Sequence, residues 1–200
     1  MFMQDLSRLP ATAFAPVAGL TSTLAAPETG LISGTQVETS QGWADVRSLR
    51  TGDLVQTVDG GLRPVRALSR HWIAPDDALG AAAGLVLLPG GAFGNCADVA
   101  LLPTQPLLIA LDEADNLPDA LFALIPASAL LGVPGVRRLA VQAPVEVIRP
   151  VFDEAETIWA ATGLQLACDG VAGPDDFHLT LGAAEAALLL ARRAAQGLAA

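Results

Sequence analysis

Short stretches in which apolar and polar residues alternate, each bounded by Gly, Asp or Pro, run through the first half of the chain after residue 35. Alternation with a period of two is typical of half-buried strands, and the bounding residues are those that tight turns require. The pattern predicts strands at 36–39, 44–46, 54–58 and 63–71. The "DGG" at 59–61 predicts a hairpin turn, since glycine adopts positive φ without strain.

The second half of the chain continues the same pattern with longer apolar runs. Strands are predicted at 99–102 and 107–111, followed by an acidic surface loop, "LDEADNLPDA". "LFALIPASALLG" predicts a strand and then a short helical turn that ends at Gly132. "RRLAVQAPVEVIRPVF" predicts two strands separated by Pro144, and "ETIWAATGL" predicts one more.

The pattern changes at residue 181, where "LGAAEAALLLARRAAQGLAA" predicts a C-terminal helix over most of 181–197. Glu185 comes early and the two arginines come late, which suits the helix dipole. We expect Leu188 and Leu189 to pack this helix on the core. Many short strands with one terminal helix predict a fold that is dominated by β structure, with short helices only.

Composition restricts the class of protein. Apolar residues make up 52%, charged residues 16%, and the mean hydropathy is +0.47, so a folded chain with a sizeable core is expected. The formal charge of −10 disfavours nucleic acid as a partner. The apolar run 78–89 is shorter than the roughly 20 residues that span a bilayer, and no secretory signal is recognisable. We therefore expect no membrane span and a cytoplasmic location by default, with an unidentified protein partner possible.

The chain contains few of the Cys and His residues that usually bind metals. Cys96 and Cys168 lie far apart, neither is part of a CxxC motif, and His71 and His178 are the only histidines. No zinc site and no cofactor are therefore predicted. We expect both thiols to be buried and unpaired, with a disulfide between them as the alternative. The three tryptophans are expected to be buried or partly buried.

The stretch "LISGTQVETSQGWADVRSLRTGDLVQTVDGG" at 31–61 resembles the opening of the Hint domain, the module shared by hedgehog proteins and inteins. Its bacterial branch begins C-F-x-x-G-T and continues into G-D-x-V-x-T-x-D-G-G. Later motifs follow in the same order: "PVR" at 64–66, "GAFGN" at 91–95, "IPA" at 125–127 and "VFDEAETIWAATGL" at 151–164. The resemblance covers roughly residues 29–168 and implies a compact Hint-like β fold.

The same frame implies where the family's reactive residues would be. It assigns Gly30 to the cysteine nucleophile, and Gln105, Arg149 and Ala155 to histidines. The family's thiol attacks the carbonyl of the preceding residue while imidazole transfers protons, which none of these four residues can do. Thr29 and Ser33 are nearby hydroxyls that could substitute as weak nucleophiles, although the motif supplies no base to activate them.

Two functions follow as hypotheses. The first is a degenerate, catalytically inactive Hint domain that serves as a structural or binding module. The alternative is an autoprocessing domain that uses a non-standard nucleophile, and a weaker idea is a small-molecule pocket walled by Gln105 and Arg149. The expected organisation is an N-terminal arm at 1–28, a Hint-like β domain at 29–170, and a C-terminal loop and helix at 171–200.

Overall fold

The computed structural model describes residues 29–76, 84–115, 117, 120–173 and 177–196. The arm expected at 1–28 lies outside these ranges. Within them, fifteen short strands form one extensively paired sheet system, followed by a single α-helix, α1 (Ala183–Gln196). The expectation of a β-dominated fold with a C-terminal helix is confirmed. No helix in these ranges is long and apolar enough to cross a membrane.

The strands of the first half are β1 (Leu31–Ile32), β2 (Gln36–Thr39), β3 (Gly42–Asp45), β4 (Leu54–Thr57), β5 (Gly61–Pro64), β6 (Ala67–Ile73), β7 (Leu85–Leu88) and β8 (Val99–Leu101). Those of the second half are β9 (Pro106–Ala110), β10 (Phe122–Pro126), β11 (Arg137–Leu139), β12 (Val145–Phe152), β13 (Glu156–Ala160), β14 (Leu164–Gly170) and β15 (Leu179–Thr180). Among the described residues, three 3-10 helices lie between these strands, at Val46–Ser48, Glu113–Asp115 and Ala127–Gly132.

The longest path through the sheet runs β11-β7-β8-β1-β12-β14-β13-β2-β4-β5. Strand β6 is added beside β12, and β9 beside β14. Most pairs are antiparallel, but β12 and β14 run parallel. This order places the short strand β1 between β8 and β12, with β14 next to β12, so segments distant in sequence meet around the start of β1.

The strand predicted at 63–71 is wrong in its bounds, because the structure divides it into β5 and β6. The division lies at Val65 and Arg66. The Val65 N–H donates to Asp53 O, and the Arg66 N–H donates to Val151 O. The chain therefore pairs with β4 before this point and with β12 after it. The alternation of apolar and polar residues continues across 63–71 and so does not reveal this change of partner.

The C-terminal helix packs on the core through one stripe only. Ala186, Leu189 and Leu190 are buried, whereas Leu188 is 54% exposed. The prediction is therefore correct for Leu189 and wrong for Leu188. The reason is the helical period, since the buried residues follow a spacing of three to four and Leu188 lies outside that stripe.

The acidic segment after β9 is not a pure surface loop. Asp115 is buried and accepts hydrogen bonds from Arg193 of α1, with Nε to Oδ1 at 2.9 Å. Arg193 also donates to Ala110 O at 2.7 Å. The hydrogen bond from Arg193 holds the pKa of Asp115 below its usual range, against the opposing effect of burial. A buried ion pair thus fastens the helix to the end of β9.

Two further expectations about burial need correction. Cys168 is buried, and its burial raises the pKa of the thiol, but Cys96 is exposed. The two cysteines do not form a disulfide. Trp72 is 65% exposed and Trp43 is 42% exposed, although all three tryptophans were expected to be buried or partly buried. Trp72 lies on β6 and has a strand neighbour on one side only, because β6 pairs with β12 alone among the described strands.

Candidate functional site

Gly30 lies directly before β1, where three strands converge. Leu31 pairs with Ile148 of β12 on one side and with Leu101 of β8 on the other. Because this short strand is covered on both edges, Gly30 is held close to β12 and to the loop that leads from β8 to β9. Gln105 belongs to that loop, and Arg149 belongs to β12.

Gln105 contacts Gly30 directly. The Gly30 N–H donates to Gln105 Oε1 at 2.9 Å, and the Gln105 side chain is fully buried. Its amide nitrogen donates to Ala167 O at 2.8 Å and to Pro106 O at 3.2 Å. Both ends of the amide are therefore occupied by the backbone. Gln105 consequently presents no accessible surface that could line a ligand pocket.

The position of Gly30 leaves no room for a side chain. Its φ is +143°, a conformation that residues with a Cβ rarely adopt. A Cβ built on this backbone would lie 2.6 Å from Val147 Cγ1 and 3.7 Å from Arg149 Cβ. The volume that a cysteine side chain would need is thus filled from β12.

A carboxylate on β14 organises the polar side of this site. Asp169 Oδ2 accepts a hydrogen bond from Thr29 Oγ1 at 2.8 Å and another from Arg149 Nε at 2.6 Å. Partial burial alone would raise the pKa of Asp169, but the hydrogen bonds from Arg149 and Thr29 outweigh it and lower that pKa overall. Asp169 is therefore a carboxylate at neutral pH, and a weak base.

The structure places Gly30 against two of the other three positions that the motif frame assigns, and packs the last, Ala155, against the residue that follows Asp169. Gly30 lies against both Gln105 and Arg149. The backbone of Ala155 packs against Gly170, the residue after Asp169, so closely that a Cβ on Gly170 would collide with Ala155 N. Ala155 adds no polar side chain to the site.

The two substitute hydroxyls are separated by the length of β1. Thr29 is part of the Asp169 cluster, whereas Ser33 lies beyond the other end of the strand. The Ser33 N–H donates to Glu146 O, and Ser33 lines a different cleft together with Cys96 and Thr162. Only Thr29 is therefore placed among the residues around Gly30.

Asp169 is the member of the site that sequence reasoning missed. It belongs to no motif of the frame, and its partner Arg149 is 20 residues away in sequence. The one available signal is the alternation in "LQLACDG", which places Gln165, Ala167 and Asp169 on the less buried face of β14. That signal predicts exposure but not the parallel pairing with β12 that joins the acid to Arg149.

Metal binding finds no support in the described ranges, where no three His, Cys, Asp or Glu side chains are grouped closely enough to hold an ion. The polar groups of the site are instead satisfied by one another. The site is therefore a hydrogen-bonded cluster of chain segments rather than an open ligand cage.

The Asp169→Asn substitution should make the stability of the protein less sensitive to acid. The pKa of Asp169 is lowered in the folded state, so its stabilising effect is complete above the unfolded value of about 3.9 and is lost as the pH falls through the lower folded value. In urea unfolding between pH 7 and pH 2.5, Asp169→Asn should have a lower free energy of unfolding than the unmodified protein. This difference should shrink below about pH 4. Asp76→Asn, at an exposed carboxylate, is the control. A deficit that does not change with pH would contradict the assignment.

Comparison with known proteins agrees with this architecture. The model of a family described as the Hint domain matches residues 29–166, more than half of the chain. The chain therefore belongs to the Hint domain family. No curated protein matches the sequence.

Solved structures with similar folds include intein-like proteins. One is a bacterial intein-like domain from Clostridium thermocellum, with 12% identity, a TM-score of 0.47, and coverage of 69% of this chain and 97% of that one. A splice-inactive variant of the AceL NrdHF class 3 split intein has 11% identity and a TM-score of 0.44, covering 70% and 97%. The MchDnaB-1 intein has 12% identity and a TM-score of 0.39, covering 68% and 98%.

Proposed function

We propose that this chain is a Hint domain without autoprocessing activity, which serves as a structural or binding module. The observation that carries the proposal is the closure of the position that the motif frame assigns to the nucleophile. Gly30 has no side chain, and Val147 occupies the space into which one would extend, since its Cγ1 would be 2.6 Å from a Cβ at residue 30. Residue 30 therefore has no thiol, and the space that a cysteine side chain would need there is occupied.

The residues around Gly30 also lack a group suited to proton transfer near neutral pH. The Gln105 amide neither gains nor loses a proton, and both of its ends are held by the backbone. Arg149 stays charged and is paired with Asp169, whose pKa is lowered. General acid–base catalysis works best with a pKa close to the working pH, so this set of residues favours binding over catalysis.

The stable framework of strands remains useful without catalysis, because a fold by itself does not fix a function. We propose that residues 29–170 form the Hint-like domain, that 1–28 is an arm preceding it, and that 171–200 supplies the loop and the packed helix. The contact between Arg193 and Asp115 supports the last point, since it ties the helix to the β core.

One observation favours a second candidate function, autoprocessing with a non-standard nucleophile. The Thr29 hydroxyl donates to Asp169 at 2.8 Å, and Arg149 orients the same carboxylate. A hydroxyl, a base and an orienting group are the parts of an activated nucleophile. Thr29 Oγ1 would pass its proton to Asp169 and attack the carbonyl carbon of residue 28. The bond from that carbon to Thr29 N would then break as the nitrogen takes up the proton, which leaves an ester on Thr29, and water would hydrolyse that ester to free residue 28 as a carboxylate.

Intact mass spectrometry separates the two functions. The purified full chain, incubated at pH 7 with dithiothreitol or with hydroxylamine, should keep a single mass, because no nucleophile and base of matched pKa are present at the site. A fragment that begins at Thr29, and that disappears in Thr29→Ala but persists in Ser33→Ala, would instead establish the second function. Hydroxylamine is included because it cleaves an ester even where water does so slowly.

A further inference from the structure

One edge of strand β6 has no strand partner within the part of the chain that the structure describes. It contains seven residues, Ala67–Ile73, and pairs along its whole length with β12. Among the described residues β12 is its only strand partner. Backbone N–H and C=O groups on the outer edge of such a strand are available to another strand.

Several of the devices that protect an exposed edge are absent from β6. Its sequence, "ALSRHWI", contains neither Pro nor Lys, and its register with β12 is continuous, without a bulge. The one charged side chain, Arg70, is turned toward its own subunit. It donates to Glu146 at 2.8 Å and to Arg47 O at 2.8 Å. Trp72, at 65% exposed, enlarges the apolar surface beside this edge.

The order of residues along β6 is self-complementary about Arg70. In an antiparallel pair of two identical strands centred there, Leu68 of each copy lies opposite Trp72 of the other. Ser69 then lies opposite His71, and Ala67 opposite Ile73. Apolar residues meet apolar ones, and a hydroxyl meets an imidazole, which are favourable cross-strand pairs.

We propose that two copies of this chain associate through β6, edge to edge and antiparallel, about a two-fold axis at Arg70. The contact joins the two sheets in the order β12–β6–β6–β12. Arg70 faces its own equivalent across the axis, and Glu146 beside each arginine offsets that repulsion. Closed two-fold symmetry also explains why the pairing stops at two copies. The proposal does not depend on the activity of the site around Gly30.

The net charge opposes this association at long range. Each copy carries a formal charge of −10, and repulsion between two such copies is screened by salt over a Debye length of about 8 Å at 0.15 M ionic strength. The contact itself is made of apolar pairs and backbone hydrogen bonds. Dimerisation should therefore strengthen as the salt concentration rises from about 0.02 to about 0.3 M.

Sedimentation equilibrium of the full chain from 5 to 200 µM tests the proposal. We expect a monomer–dimer equilibrium. Trp72→Lys should raise the dissociation constant of the dimer at least tenfold, whereas Trp43→Lys should leave it unchanged. Trp43 is the matched control, an exposed tryptophan on another strand, at 42% exposed. A chain that stays monomeric throughout, or a dimer weakened by Trp43→Lys and not by Trp72→Lys, would overturn the proposal.

Disulfide trapping tests the register in the same protein. In a Cys96→Ser background, Arg70→Cys should give a disulfide-linked dimer on mild oxidation, because residues opposite each other on paired strands have suitable Cα separations. Ser69→Cys should not, since the two copies of residue 69 would lie diagonally, beyond the reach of a disulfide. Equal trapping of both variants, or trapping of neither while the circular dichroism stays native, would refute the two-fold register.

Discussion

Replacing Arg193 by alanine is expected to lower the free energy of unfolding by about 3–5 kcal/mol, a large part of the stability of a domain of this size. The arginine and its partner Asp115 are both nearly inaccessible, with side chains 8% and 2% exposed. Removing the cation leaves a buried carboxylate without its counter-ion, and it also leaves Ala110 O without its donor. The helix α1 should then separate more easily from β9.

Urea unfolding followed by tryptophan fluorescence measures this effect. Arg192→Ala is the matched control, because it removes the neighbouring exposed arginine from the same helix. A second variant, Arg193→Met combined with Asp115→Leu, should be less destabilised than Arg193→Ala, since no charge stays buried. If Arg193→Ala and Arg192→Ala unfold at the same urea concentration, the ion pair does not fasten the helix.

Installing a cysteine alone should damage the protein without activating it. Gly30→Cys is expected to lower the free energy of unfolding by about 1–3 kcal/mol, since the new Cβ meets Val147 and the backbone must leave its positive φ. No cleavage is expected, because Gln105, Arg149 and Ala155, which stand at the histidine positions, offer no imidazole to activate the peptide bond. Gly30→Ala separates the two effects, as it introduces the same Cβ without the thiol.

Recovery of cleavage should require the whole set of residues at once. Gly30→Cys together with Gln105→His, Arg149→His and Ala155→His is expected to show slow thiol-dependent cleavage before residue 30. Adding Val147→Ala should increase it by opening the space that Val147 Cγ1 occupies. Such recovery is non-additive, as is usual for residues that act as a unit. Cleavage by Gly30→Cys alone, detected as a new mass, would contradict the proposed loss of function.

Most strands and the terminal helix could be predicted because their signals are local. Alternation within "QVET" or "LVQT" depends only on adjacent residues, and the structure has strands there, β2 and β4. The same holds for "AAEAALLLARRAAQ", whose composition favours a helix wherever it packs. The order of spaced motifs was likewise sufficient to recognise the Hint family, which the family match confirms.

The site was predictable only in part. The motif frame named Gly30, Gln105 and Arg149, and in the structure Gly30 lies against the other two. It could not show that the side-chain amide of Gln105 is hydrogen-bonded to the backbone of Gly30 and Ala167. Nor could it show that Val147 fills the space beside Gly30. Side-chain orientation in a core depends on neighbours from other segments, and one sequence does not state which segments those are.

The sequence by itself determined the positions of most elements, the family and the absence of a cysteine at residue 30. Only the tertiary structure decided which residues are paired and which are exposed. The parallel register of β12 and β14 joins Arg149 to Asp169, and the docking of α1 buries Arg193 with Asp115 while leaving Leu188 exposed. The physical reason is the distance along the chain over which each effect acts. Secondary-structure propensity and alternation depend on a few neighbouring residues. Strand register, buried ion pairs and exposure depend on contacts between segments that are far apart in the sequence.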